Sequence, residues 1–253
     1  MNPISVRWLK LLGQLLSVCA LAAFPVMSTA LTWNLQTDWS ETANPNGPWS
    51  LNAGNTSLPH ISGSTLPGGA LVAQPGWALC DSCRGFWFKA IVTPPNTDWL
   101  LGDIVVHTQD QGSQPPANVT WTSPVSGFAS VSGSVWMDDF FPSRGNQWNL
   151  YIKGVLASSG QLTGTDPYSR SSPFNLATGS GGVAPLLNIP VNVGDIISLE
   201  LVRTTSDGFF IGTNLSVSAV PEPTTLIMMM IGTVLLAVAG HSSRPGRIRP
   251  SDA

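Results

Sequence analysis

The sequence predicts an all-β fold: an antiparallel β-sandwich of jelly-roll type, flanked by an N-terminal signal peptide and a single C-terminal transmembrane helix. Three observations predict it. Between the two ends no helical period appears, and short apolar runs recur instead, broken by Gly, Pro, Asn and Ser. Several of these runs alternate apolar with polar residues, which puts one face of each strand in a core. Each end of the chain carries a long apolar stretch beside basic residues.

The first element is the leader. Arg7 and Lys10 precede an apolar stretch from Leu11 to Met27, and Ser28-Thr29-Ala30 supplies small residues for cleavage after Ala30. Residues 1–30 therefore read as a secretory signal peptide. Cys19 is a poor lipoprotein acceptor, because Val18 is branched and apolar sequence continues beyond it.

Residues 31–219 form the exported domain. Strands are expected at Phe86–Val92, Asp103–Thr108, Asn118–Thr122, Gly127–Met137, Trp148–Leu156, Asp195–Arg203 and Phe209–Val217. In Gly194–Thr204, Ile197, Leu199 and Leu201 point one way while Ser198 and Glu200 point the other. Ile211, Thr213, Leu215 and Val217 share one face in the same manner. Seven or more such strands, with polar Gly/Pro-rich turns, make two packed sheets. A short linker is expected at Ser218-Ala219-Val220.

Twelve acids against six bases give residues 31–219 a formal net charge of −6. The six bases are scattered singly, so nucleic acid is excluded as a partner, since phosphate binding needs clustered Lys and Arg.

The last element, residues 220–253, has three parts. Pro221-Glu222-Pro223 is rigid and extended, because proline fixes φ and donates no hydrogen bond. Residues 224–240 carry no charge and, at 1.5 Å per residue, span about 25 Å, the short limit for a membrane helix. Arg244, Arg247 and Arg249 in the basic tail 241–253 would stay on the cytoplasmic side of an inner membrane. A plain stop-transfer anchor would look the same without the Pro-Glu-Pro.

With it, the ending resembles the PEP-CTERM sorting signal. That resemblance implies processing by exosortase, a membrane-embedded enzyme, as the protein passes from an inner-membrane-anchored precursor to the cell surface or extracellular matrix of a Gram-negative bacterium. A second resemblance lies within the domain. Asn44-Pro45-Asn46-Gly47-Pro48-Trp49-Ser50, Ile104–Gln109, Asn118–Val135 and Asn149–Val155 are similar to segments of exported bacterial β-sandwich domains that carry this tail. It implies a jelly roll similar in plan to carbohydrate-binding modules.

Cys80 and Cys83 are the one cysteine pair of the exported domain, and a C-x-x-C admits redox, metal or disulfide readings. No βαβ pattern supports a thioredoxin-type site, and His60 and His107 are not spaced as metal ligands. Export favours a structural disulfide. No metal and no cofactor is expected.

Nine tryptophans remain outside the leader, and most are expected to fill the core. The segment from Trp136 to Trp148 differs, since Trp136, Asp138, Asp139, Arg144 and Trp148 lie within 13 residues. Flat indoles beside charged hydrogen-bonding groups suit a sugar ring, so these five are the candidate glycan-binding residues. The competing reading is that both tryptophans pack inward.

No G-x-S-x-G or H-E-x-x-H occurs. The expectation is a non-enzymatic surface protein that associates with glycan or exopolysaccharide. The alternatives are a structural matrix protein without ligand and, behind it, a hydrolase using aspartates.

Overall fold

The computed structural model describes residues 29–64, 74–81, 83–109, 114–138 and 143–222, together with residue 232. The sandwich unit is Ala30–Pro221. The other unit, Met1–Thr29 with Glu222–Ala253, contributes only Thr29, Glu222 and Gly232 to the described residues, so the leader up to residue 28, the span 224–240 apart from Gly232, and the basic tail lie outside them. Among the described residues no helix is long and apolar enough to cross a membrane.

Among the described residues, fifteen strands form two antiparallel sheets. The nine-stranded sheet contains β1 (Leu31–Asn34), β4 (His60–Ser64), β5 (Gln74–Trp77), β6 (Phe86–Lys89), β7 (Ile104–His107), β9 (Gly127–Met137), β12 (Phe174–Asn175), β13 (Ile189–Val191) and β15 (Phe210–Pro221). Its main path runs β12-β9-β15-β7-β6-β5-β4, with β1 paired to β15 and β13 to β9. The six-stranded sheet is ordered β11 (Val155–Thr163), β10 (Gly145–Ile152), β14 (Ile196–Arg203), β8 (Ala117–Thr122), β2 (Trp49–Ala53) and β3 (Thr56–Ser57). Two 3-10 turns, Leu176–Thr178 and Ala184–Leu186, complete the described secondary structure.

The alternation expected from the sequence places the core. Ile197, Leu199 and Leu201 of β14 meet Ile211, Leu215 and Val217 of β15 in one buried cluster between the sheets, together with Trp49, Trp87, Trp121 and Trp148. A second, smaller cluster lies on the outer face of the nine-stranded sheet. There Phe86, Phe88, Val105 and Phe210 are covered by the β6–β7 connection, whose Trp99 ring lies tilted against Phe210, 5.2 Å between centroids, and donates its indole N–H to the Val92 carbonyl at 2.9 Å. A satellite cluster under a long connection is the usual way such a loop is held down.

Three expectations change. The run Trp148–Leu156 is two strands, because Lys153 (φ 52°) and Gly154 (φ 76°) turn the chain between β10 and β11. Two consecutive positive-φ residues make a primed hairpin turn, whose twist matches that of the flanking strands. Ser218-Ala219-Val220 is no linker: these residues pair with Ser130, Ala129 and Phe128, and β15 continues to Pro221, opposite Gly127. The short strands β1–β5, β12 and β13 had no clean alternation to mark them, being two to five residues long.

Candidate functional site: a cleft on the outer face of the nine-stranded sheet

The five expected glycan residues do not form one surface. Trp148 points into the inter-sheet core, fully buried, with its ring edge-on to Phe174 at 5.4 Å. Its indole packs where Gly160 and Gly179 leave room: a Cβ on Gly179 would lie 2.3 Å from Trp148 Cη2. Arg144 belongs to another neighbourhood, donating to the Gly208 carbonyl at 3.0 Å, lying 3.4 Å from Asp207 and sitting over the Phe209 ring. Asp139 lies outside the described residues. The exposed two-tryptophan platform is therefore corrected, because strand alternation turns Trp148 inward and packing leaves Trp136 only 5% exposed.

Trp136 nevertheless borders a cleft. On β9, Ala129, Val131, Val135 and Met137 face the core, so Trp136 faces outward. It lies flat on Gly212, its register partner on β15, where a Cβ would come within 2.1 Å of the indole. Its N–H donates to the Asp98 carbonyl at 3.1 Å, under the β6–β7 connection.

The cleft opens where β15 exchanges neighbours. β7 pairs with residues 210–213 of β15 and β1 with residues 216–219, so Asn214 falls between the two. The resulting space of about 220 Å³ is lined by Gln36, Asp103, Ser134, Trp136, Arg170 and Asn214 among others. It is smaller than the roughly 300–1,000 Å³ of drug-sized pockets and suits one small polar ring.

Charge is organised around it. Arg170, from the β11–β12 connection, grips Asp103 with Nε to Oδ2 at 2.5 Å and Nη2 to Oδ1 at 3.1 Å. Its backbone N–H donates to Asp98 Oδ2 at 2.6 Å. Such a fork-to-fork pair fixes both side chains and leaves the remaining guanidinium N–H groups for another acceptor.

Asp138 stands behind the cleft, fully buried, and neither carboxylate oxygen has a partner. Burial above all, then the charges of Asp103 and Asp98, raise its pKa well above the usual carboxylate range; the Arg170 charge opposes this only in part. Among the described residues no group of three His, Cys, Asp or Glu side chains could hold a metal.

The sequence reading named Trp136 but missed the residues that line the cleft with it. Arg170, Asp103 and Asn214 are distant in the chain, and only the sheet order brings them to one place. Elsewhere, Cys80 and Cys83 are joined by a disulfide. The three parts of the sorting signal fall outside the described residues except for Pro221, Glu222 and Gly232.

These features define a class: an antiparallel two-sheet β-sandwich whose last strand runs into a Pro-Glu-Pro tail. Residues 219–244 match the PEP-CTERM protein-sorting motif. No curated protein matches the chain. Among solved structures, the sandwich resembles a xylan-binding module, CBM15, at 10% identity and a TM-score of 0.34, over 77% of this chain and all of that one. A xylanase 10C variant from Cellvibrio japonicus in complex with xylopentaose aligns at 9% identity and a TM-score of 0.32, over 68% of this chain and 27% of its own length. Likenesses this distant assign no ligand.

Proposed function

We propose that the protein is exported and sorted to the surface or extracellular matrix of a Gram-negative bacterium, where its sandwich associates with glycan or exopolysaccharide without catalysing a reaction. The observation that carries the sorting half is the motif match at 219–244, which begins inside β15 and so joins the signal directly to the folded domain. The signal peptide at 1–30, the apolar span 224–240 and the arginines at 244, 247 and 249 fit an inner-membrane precursor processed by exosortase.

The cleft supports the glycan half. Arg170, Asp103, Gln36 and Asn214 offer paired donors and acceptors to ring hydroxyls beside the Trp136 edge. A hydrolase would need a proton donor at the scissile bond. Asp138, the carboxyl whose pKa burial raises, is fully buried and does not line the cleft, which supports the non-enzymatic reading.

The burial of both Trp136 and Trp148 favours a second reading, a structural matrix protein without ligand. The two separate by experiment. Full-length protein expressed in a PEP-CTERM-sorting strain should reach the surface fraction, and a chain stopped after Pro221 should not stay cell-associated. The surface-released protein should be held by the strain's own exopolysaccharide, and Arg170→Ala should weaken that hold; equal retention of an unrelated sandwich would leave the structural reading.

A further inference from the structure

The outer face of the six-stranded sheet carries a row of polar side chains that nothing above uses. Strand register puts Ser159, Asn149, Glu200, Asn118, Asn52 and Ser57 directly opposite one another, one from each of the six strands. Five inter-strand steps of about 4.8 Å make the row roughly 24 Å long. Beside it runs a second row, Tyr151, Ser198, Thr120 and Ser50. The inward neighbours on these strands, from Trp121 to Leu199, fill the core, so alternation alone sets this face outward.

Its chemistry is unusual for an open sheet face. Solvated faces normally mix Lys, Arg, Glu and Asp; the row has a single charge, Glu200, and no base. Its amides are held in place. Gln147 donates to Asn149 Oδ1 at 2.7 Å, Asn149 to Glu200 Oε1 at 3.2 Å, and Ser50 to Asn52 Oδ1 at 2.9 Å. Asn149 and Asn52 are only 7% and 8% exposed, while Glu200, Asn118, Ser198 and Thr120 are half-buried. Side chains fixed before binding lose little entropy on binding.

Capacity is left over. It does not lie on Asn118, whose Nδ2 donates to the Gly54 carbonyl at 2.8 Å and whose Oδ1 is buried. Glu200 Oε1 accepts from Asn149 and, at 3.5 Å, from the Tyr151 hydroxyl, which leaves Oε2 for a ligand. Burial and then the Glu200 charge raise the Tyr151 pKa, so the phenol remains a neutral donor. An amide beside a carboxylate meets two neighbouring hydroxyls of a sugar, donating to one and accepting from the other.

We infer that this row is a second binding surface, taking an extended neutral polysaccharide chain laid across the strands. Its length suits several linked rings rather than one. Its sole charge is negative, in a domain of net charge −6, so uronate or sulfate chains are repelled. The cleft lies on the outer face of the opposite sheet, so the domain offers two separate surfaces and can link two chains. The inference rests on the glycan reading above, with its own residues.

The test is affinity electrophoresis of the surface-released protein through gels containing xylan, mixed-linkage β-glucan or galactomannan, with alginate as the acidic counterpart. Wild type should be retarded by at least one neutral polymer and not by alginate. Glu200→Gln with Tyr151→Phe should weaken that retardation at least tenfold in apparent Kd, at an unchanged melting temperature. Ser198→Tyr, at a half-exposed position, should block the same surface if the double variant fails to fold. Retardation by no neutral polymer, or by alginate alone, overturns the inference. So does wild-type behaviour of both the double variant and Ser198→Tyr. If only Arg170→Ala loses binding, the cleft reading stands and this one falls.

Discussion

Arg170 and Asp103, 67 residues apart, meet through two hydrogen bonds at 2.5 and 3.1 Å on the outer face of the nine-stranded sheet. The pair ties the β11–β12 connection to the start of β7, and with the Arg170 N–H on Asp98 it binds two long connections together over Trp136. Asp103 is nearly buried, so losing its partner leaves a carboxylate poorly solvated. Arg170→Ala should therefore cost about 1–3 kcal/mol in urea unfolding. Arg170→Lys should recover only part of it, because an ammonium cannot fork.

Asp138 gives the protein a pH dependence of known sign. Burial raises its folded-state pKa well above that of the unfolded chain, near 3.9. The folded protein therefore holds this proton more tightly. As pH rises from about 4 through the raised value, stability from this group falls, and above that value it stays lost. Asp138→Asn should flatten the melting temperature against pH between 4 and 8, and should raise it relative to wild type at pH 8. Parallel curves for the two proteins would contradict the assignment.

Trp148 is a packing residue here. Trp148→Ala should cost about 3–5 kcal/mol by denaturant unfolding, as large-to-small core changes do. Its indole N–H finds no acceptor, so Trp148→Phe removes an orphan donor along with some area and should cost clearly less.

Gly212 is the seat of Trp136. Gly212→Ala places a Cβ 2.1 Å from the indole on a strand paired on both sides, so the ring has to move. The change should lower stability by about 1–3 kcal/mol and shift the tryptophan fluorescence. Unchanged spectra would mean the indole sits elsewhere.

The processed end should fall after the last ladder pair. Val220 and Pro221 face Phe128 and Gly127, so cutting upstream of them removes pairing from β9. Intact-mass measurement of surface-released protein should give a C-terminus between Pro221 and Leu226. Recovery of full-length chain alone would point to a permanent anchor.

The Cys80–Cys83 disulfide closes a very short loop. Changing both to Ser should cost at most about 1–3 kcal/mol by the loop-entropy estimate. Neither thiol should be alkylated in the native, unreduced protein.

The sequence by itself determined the sandwich and the signal at its end. Period-two runs such as Ile197-Leu199-Leu201 can bury their apolar face only in a sheet, and Pro-Glu-Pro with its apolar span and arginines is a local pattern that needs no partner to be read. Tertiary structure alone decided which side each large residue faces relative to distant strands. Trp136 and Trp148 lie on consecutive strands, β9 and β10, and look alike in the sequence. One faces outward and the other the core, because β9 and β10 belong to opposite sheets and each keeps its own alternation. The cleft depends on where β15 passes from β7 to β1, and the polar row on the register of six strands from all over the chain. Registers are set by long-range pairing, which summed core burial selects, and no short stretch of sequence encodes that sum.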